Sequence, residues 1–342
     1  MSIEPVDALR RIAFLLERSR SSTYRVKAYR EAASTLLGIP EQQVHERVHA
    51  GTLRELPGIG GSTSAVIEQA VAGRIPDKLS ELESSAGGPL AEGGEQVRAA
   101  LRGDLHSHSD WSDGGSPIQE MVASAMDIGH DYLALTDHSP RLTVANGLSA
   151  ERLTRQLAVV DSINATLGEG FRLLKAIEVD ILDDGSLDQS EEMLNQLDVR
   201  VASVHSKLKM DAPAMTRRMV AAVRGRHTNV LGHCTGRLVT GGRGTRPQST
   251  FDARAVFDAC AESGTAVEIN SRPERMDPPD ELITLAIERD CLFAIDTDAH
   301  APGQLDFQAY GCERAERLGV PVARIVNSWP LDDLLEWARP PT

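Results

Sequence analysis

Six histidines and three carboxylates form a dispersed series along this chain: His106, His108, Asp113, His138, Glu178, His205, His233, Asp298 and His300. Almost every member ends a short apolar run that reads as a strand. In a barrel of parallel strands, those ends converge on one face. Nine nitrogen and oxygen donors meeting in one pocket are too many for one metal ion and about right for three. Imidazole with carboxylate suits Zn²⁺, Mn²⁺ or Fe²⁺, and the absence of thiolate argues against a purely structural zinc. A lone histidine at a strand end is usually a hydrogen-bonded core or rim residue. The recurrence at the same end of successive strands is what points to metal.

Local spacing supports this reading. His106 and His108 alternate along one strand, so both imidazoles face the same side. Asp113 follows in a Ser/Gly-rich loop, SDWSDGGS, which can fold it back towards them. His138 ends LALTDH, Glu178 ends LLKAIE, His205 ends VASVH and His233 ends NVLGH, while Asp298 and His300 repeat the two-residue spacing. Divalent ions about 3.5–4 Å apart lower the pKa of a shared water, polarise a phosphoryl group and neutralise a leaving oxygen. That chemistry needs no protein nucleophile. Asp137 and Asp296 read either as orienters of ligand imidazoles or as caps and loop acids. Lys207, Arg237, Arg272 and Arg275 are placed to contact substrate phosphate, with solvent-facing ion pairs as the alternative. His45 and His49 share a helical i, i+4 spacing, but no third ligand is near them in sequence.

The elements that must position these residues differ in the two halves of the chain. Residues 5–82 read as helices alone, with apolar residues at three- and four-residue spacing. Gly38, Gly51 and Gly73 stand where helix ends need a left-handed residue. A Gly/Ser-rich stretch from residue 84, SSAGGPLAEGGEQ, reads as a linker to about residue 100. Beyond it, strand and helix patterns alternate: DLHSH, DYLALTDH, FRLLKAIEVDI, VRVASVHS, NVLGHCTG, TAVEINS and LFAIDTDAH are the strands, with RIVNS as a closing element. Apolar strands with amphipathic connectors indicate an α/β fold, a parallel sheet wrapped by helices and closed as a barrel or nearly so.

Composition bounds the reading. The 342 residues suffice for a large barrel plus a small domain, and 41% hydrophobic with 25% charged residues is ordinary for a soluble protein. No apolar run approaches the ~20 residues that span a bilayer, and the N-terminus reads as an amphipathic helix rather than a signal peptide. Cys234, Cys260, Cys291 and Cys312 lack CxxC spacing and read as reduced core residues of a cytoplasmic protein. The net charge is −14, yet residues 1–78 hold 11 Lys/Arg against 9 Asp/Glu, so the acidity lies in the remainder. It weighs mildly against tight non-specific DNA binding without excluding it.

The motifs DLHSHSDWSDG, LALTDHS, AIEVDILDDGSLD, VASVHS, LGHCTGR and TDAH closely resemble the PHP (polymerase and histidinol phosphatase) superfamily of metal-dependent phosphoesterases. The resemblance covers residues 103–330 and implies a distorted (β/α)₇ TIM-like barrel with a trinuclear centre. It implies His106, His108, Glu178 and Asp298 at the first metal, with Glu178 bridging to a second completed by His205 and His233. Asp113, His138 and His300 would hold the third. His106, His108, Glu178, His205 and Asp298 would then be the catalytic set, serving a metal-activated water.

The segment LRELPGIGGSTSAVIEQAV has the form of a helix-hairpin-helix, although PGIG also suits an ordinary interhelical turn. Gly58, Ile59, Gly60, Gly61 and Ser62 would offer backbone N–H groups to a DNA phosphate without reading sequence. From RRIAFLLE through YRVKAYREAASTL the helices resemble the amino-terminal domain of family X DNA polymerases, whose bacterial members carry a PHP domain. The expected domains are therefore residues 1–83, helix-hairpin-helix; 84–100, linker; and 101–342, PHP phosphoesterase. Two departures matter. The linker leaves no room for a polymerase palm, so no polymerase activity is expected. The family's lyase lysine would fall around Val66, and no lysine occurs between Lys27 and Lys78.

The expected function is phosphoester hydrolysis on DNA ends: a 3′–5′ exonuclease, 3′-phosphodiesterase or abasic-site endonuclease in repair. The expected cofactors are three divalent ions, Mn²⁺ and/or Zn²⁺ or Fe²⁺. A histidinol-phosphate phosphatase or other small-molecule phosphomonoesterase is the alternative. A non-catalytic repair scaffold is the third reading, opposed by the complete ligand set.

Overall fold

Helices alone make up the first unit of the computed structural model, which describes residues 3–242 and 244–340. The chain divides between Pro89 and Leu90. α1 (Pro5–Arg18) starts on a proline, whose fixed φ suits a first turn. Its Leu9, Ile12 and Leu15 are fully buried. α2 (Thr23–Leu37), α3 (Glu41–Ala50), α4 (Gly61–Val71) and α5 (Asp77–Ala86) complete the unit. A single turn of 3₁₀ helix at Leu53–Glu55 leads into the hairpin before α4. Within it Gly58 has φ +74°, and a Cβ there would lie 3.2 Å from Glu31 Cβ, so only glycine fits comfortably.

Two sequence expectations change here. Gly51 and Gly73 are left-handed, but Gly38 closes α2 with φ −82°. Pro40 already disfavours helix at Ile39, so no left-handed stop is needed. The expected linker of residues 84–100 is irregular only between Ala86 and Glu95. Leu79 and Leu82 are buried and carry α5 through Ala86, and buried Val97 anchors α6 (Glu95–Ala100).

The second unit alternates strand and helix. Its strands are β1 (Gly103–Ser107), β2 (Tyr132–Leu135), β3 (Arg172–Asp180), β4 (Val199–Ser203), β5 (Val230–Leu231), β6 (Ala266–Asn270) and β7 (Leu292–Asp296). They pair in sequence order, all parallel, in one seven-stranded sheet that curls into a nearly closed barrel. The connecting helices are α7 (Ile118–Asp127), α8 (Ala150–Thr166), α9 (Glu191–Leu194), α10 (Ala212–Val223), α11 (Ala253–Ser263), α12 (Asp280–Glu288) and α13 (Gln308–Leu318). One apolar cluster fills the barrel: Leu105, Ala134, Leu174, Ala176, Val199, Val201, Val230, Ala266 and Ala294. A larger one lies between strands and helices and takes in all four cysteines, whose thiols are free. Trp329, Trp337 and Leu334 around α14 (Leu331–Ala338) close the amino-terminal end. The carboxyl end is therefore the open one.

RIVNS closes the barrel, but not as a strand. Ile325 makes a single bridge to Phe293, and Val326–Ser328 turn as a 3₁₀ helix. The Asn327 amide donates to Gly103 O at 3.0 Å and Ile295 O at 2.8 Å, stitching β1 to β7 with a side chain. Asp296 accepts from Leu105 N at 2.9 Å, and Asp104 accepts from the Thr297 hydroxyl.

His130, before β2, is 4% exposed and meets Gln308 Oε1 at 3.0 Å. Burial, then the Arg98 charge, pushes it down to about 3. The unfolded chain takes up a proton below pH ~6.5 that the folded barrel refuses, so stability falls as pH drops through that range. Urea unfolding of the barrel should lose about 2 kcal/mol to this group between pH 7.5 and pH 5. His130→Gln should show a shallower decline; an identical pH dependence would refute the assignment.

Candidate metal centre

Each donor of the series reaches the open end because its strand stops there. His106 lies in β1 and His108 just beyond it, their ring centroids 5.2 Å apart. His138 follows β2 and makes a backbone bridge to Glu178 inside β3. His205 and His233 follow β4 and β5, and Asp298 and His300 follow β7. Asp113 returns on the loop after β1. That loop is tied by Asp137, which accepts from Ser109 N at 2.8 Å, Ser109 Oγ at 2.6 Å and Ser112 Oγ at 2.5 Å. Gly114 presses so close to Ser109 that a Cβ would lie 2.7 Å from its backbone.

Glu178 sits at the centre, 1% exposed. Its oxygens lie 2.9 Å from His138 Nδ1 and His233 Nε2, 3.2 Å from His205 Nε2, 3.3 Å from His106 Nε2 and 3.5 Å from His108 Nε2. All nine donors come together. Their atoms form four overlapping groups: His108–Asp113–His138–His300, His106–His108–Asp298, His106–Glu178–His233 and His138–Glu178–His205. This grouping places His205 with His138 and His233 with His106, where the family resemblance implies His205 and His233 at one ion.

The donor chemistry fits divalent cations. His106 Nε2, both nitrogens of His108, His205 Nε2 and His233 Nδ1 are buried without hydrogen-bond partners, a costly state unless a ligand completes them. Burial, then His300 and His138, pushes His108 down to about 3, leaving a neutral imidazole with a free lone pair. Burial also works against charge on His106 and His205. Glu178 with Glu268 nonetheless holds His106 well above its usual range, and Glu178 with Asp180 lifts His205 to about 9. Burial opposes charge on Glu178 and Asp298 too, but the imidazoles hold Glu178 low and Arg275 holds Asp298 low. The pocket's carboxylates thus favour positive charge on His106 and His205, a role that bound cations would take. Backbone geometry is also unusual at two donors: His233 has φ +20° and Asp298 φ +52°, conformations that non-glycine residues hold when their surroundings impose them.

The residues expected to meet substrate phosphate have partners of their own. Arg275 donates from Nε to Asp298 Oδ2 at 2.8 Å. Arg272 donates from Nη1 to Asp298 O at 2.9 Å and lies 2.8 Å from His300 Nδ1. Arg237 donates to the backbone carbonyls of Arg275 and Met276. Lys207 pairs with Asp183 at the rim, its side chain 63% exposed. Asp137 is the loop acid, while Asp296, inside β7, accepts from Leu105 N of β1, and neither bonds a ligand imidazole. The acids that do are Asp180, 2.6 Å from His205 Nδ1, and Glu268, 2.5 Å from His106 Nδ1. Sequence reasoning missed both. A signal existed for Glu268: a carboxylate inside the apolar strand TAVEIN must find a partner.

In the helical unit, Gly58, Ile59 and Gly60 form the hairpin, and Gly61 and Ser62 open α4. Gly60, Gly61, Ser62 and Thr63 border a cavity of about 650 Å³ shared with Tyr24, Arg25, Tyr29, Val66 and Lys78. His45 pairs with Glu41 at 3.7 Å.

Comparison with known proteins agrees with this architecture. Residues 104–272 match the PHP domain, and residues 3–74 match a helix-hairpin-helix domain. The chain is 37% identical over 234 residues to the DNA polymerase/3'-5' exonuclease PolX of Bacillus subtilis, covering 68% of this chain and 40% of that protein. A probable phosphatase of Caldanaerobacter subterraneus subsp. tengcongensis is 26% identical over 173 residues, 49% of this chain and 61% of its own. The chain therefore spans less than two thirds of either relative. Among solved structures, histidinol phosphate phosphatase from Lactococcus lactis, complexed with zinc, L-histidinol and phosphate, aligns with TM-score 0.44 and 16% identity. That alignment covers 64% of this chain and 92% of that one. This chain carries a PHP domain, with a helix-hairpin-helix domain ahead of it.

Proposed function

We propose that this protein is a metal-dependent phosphoester hydrolase acting on DNA ends, as a 3′–5′ exonuclease, 3′-phosphodiesterase or abasic-site endonuclease. One observation carries the reading: a nine-donor pocket at the mouth of a PHP barrel is joined to a helix-hairpin-helix unit. Divalent ions held by the pocket, Mn²⁺ or Zn²⁺ with Fe²⁺ as the further candidate, supply an activated water and charge neutralisation at phosphorus. The protein's own residues do the rest. His106, His108, Glu178, His205 and Asp298 fix the donor geometry, His233 joins them beside Glu178, and Asp113, His138 and His300 complete it. Lys207, whose ammonium is exposed at the rim, is the best placed of the four basic residues to meet a phosphate.

The helical unit supports DNA as substrate. Its cavity combines the start of α4, where backbone N–H groups favour an anion, with Arg25, Lys78 and the 85% exposed Tyr24. Val66 lines this cavity and no lysine occurs between Lys27 and Lys78, so the role proposed for the unit is binding rather than cleavage. The matched domains leave no polymerase palm between them, and no polymerase activity is proposed. Among the described residues no helix is long and apolar enough to cross a membrane, and we place the protein in the cytoplasm.

A small-molecule phosphomonoesterase is the second reading, favoured by the acidity of residues 79–342. The metal-loaded full chain should be assayed on 3′-labelled single-stranded, nicked and abasic DNA beside histidinol phosphate. DNA hydrolysis is expected, with Tyr24→Ala/Arg25→Glu raising KM for DNA about tenfold, the loss of ~1.4 kcal/mol of stacking and phosphate contact. Turnover of histidinol phosphate alone would overturn the DNA reading.

Metal dependence is a separate test. With metal at about 100 times Kd, the barrel gains ~2.7 kcal/mol, so chelation should lower its melting temperature by roughly 5–10 °C. Elemental analysis should show Glu178→Gln losing the most metal and Asp113→Ala only part of it. A protein that keeps full activity after chelation or in Asp298→Ala would refute the mechanism.

A further inference from the structure

Six of the seven strands deliver a donor of the series, and β6 delivers none. At the matching inward position it carries Glu268, fully buried and paired in register with Ala294 of β7. A carboxylate is expensive at such a site unless every lone pair is used. Glu268 uses both oxygens. Oε1 lies 2.5 Å from His106 Nδ1, while Oε2 accepts from His233 N at 2.5 Å and from the Asn270 amide at 3.2 Å. Asn270 also reaches Asp298 Oδ2 at 3.4 Å.

We infer that Glu268 is the positioning residue of the centre, a carboxylate that aims two ligands on different strands at once. The inference rests on the metal-centre reading above. With Nδ1–H given to Glu268, His106 keeps its Nε2 lone pair for the pocket. With its backbone N–H held by Oε2, His233 keeps the positive φ that turns its ring towards Glu178. His106 belongs to two of the four donor groups and His233 to one of these, so a single side chain sets the alignment of both. Glu268 itself ligates nothing. Asp180 acts on His205, and Arg272 on Asp298 and His300, which both follow β7; Glu268 couples ligands from two different strands.

Glutamine at this position has one acceptor oxygen and an amide that donates. Whichever way it turns, one of the two N–H groups meets a donor. Metal-stripped full-length protein should be titrated with Co²⁺ and followed by its visible d–d absorption. Wild type is expected to bind, and Glu268→Gln to bind the same number of ions about 10- to 100-fold more weakly. His106→Ala, which removes a donor, should instead lower the number bound. Equal affinity in Glu268→Gln overturns the inference, and fewer ions in that variant makes Glu268 a ligand and also overturns it. Wild type that takes up no Co²⁺ sinks the metal centre and this inference together. If Glu268→Gln does not fold, proton NMR of the Zn²⁺-loaded wild type decides: a far-downfield His106 Nδ1–H supports the contact, and its absence refutes it.

Discussion

Everything at the mouth of the barrel is organised around one buried carboxylate. Glu178 is 1% exposed, and five imidazoles approach its two oxygens within 3.5 Å. A lone carboxylate in such a place would cost several kcal/mol in desolvation. The fold has to bring compensating groups from separate strands, and parallel pairing supplies them, because every strand of such a barrel ends on the same face. β3 is the longest strand, nine residues, and carries Glu178 to the centre of that face while its neighbours end in histidines.

Charge balance explains the rest of the pocket. Asp298 and Glu268 add to the negative field of Glu178, and buried Arg275 offsets part of it through Asp298. That field lifts His106 and His205 above the usual imidazole range, while burial pushes His108 and His233 below it. A site in this condition is poised to exchange protons for divalent cations, so metal uptake should release protons. The His233 and Asp298 backbones show that the structure also pays in conformational strain to hold these donors in place.

How much of this was legible in the sequence depends on the range of the interaction. Donors at strand ends were readable, because the apolar run before His205 or Glu178 and the two-residue spacing of His106 and His108 are local. The parallel sheet and the helical first unit were readable for the same reason. Partners across the barrel were not. Arg275 looks like a phosphate contact until Asp298, 23 residues on, is seen against it. Asp137 neighbours a donor but spends its oxygens on the loop that carries Asp113. RIVNS has the composition of a strand, yet its one bridge, Ile325 to Phe293, is isolated, and the Asn327 side chain is what spans β1 and β7. Glu268 was passed over because it is not at a strand end.

The seam between β1 and β7 connects the barrel's integrity to its chemistry. Backbone contact there is confined to an isolated bridge, Ser107 to Ala299, and bonds such as His108 N to Ala299 O at 2.8 Å. Asn327, Asp104 and Asp296 fill the remainder with side-chain bonds. Burial raises Asp104 to about 6 and, with the neighbouring Asp104, raises Asp296 well above the carboxylate range, so the seam carries less charge than its sequence suggests. The strands on its two sides also lead to four of the nine donors: His106 and His108 from β1, Asp298 and His300 from β7. Opening the seam would therefore separate the donor group His106–His108–Asp298. An ion gripping that group has to hold the barrel shut, and a barrel held shut by Asn327 presents the group preassembled. On the proposed metal-centre reading, closure and ion binding would each favour the other.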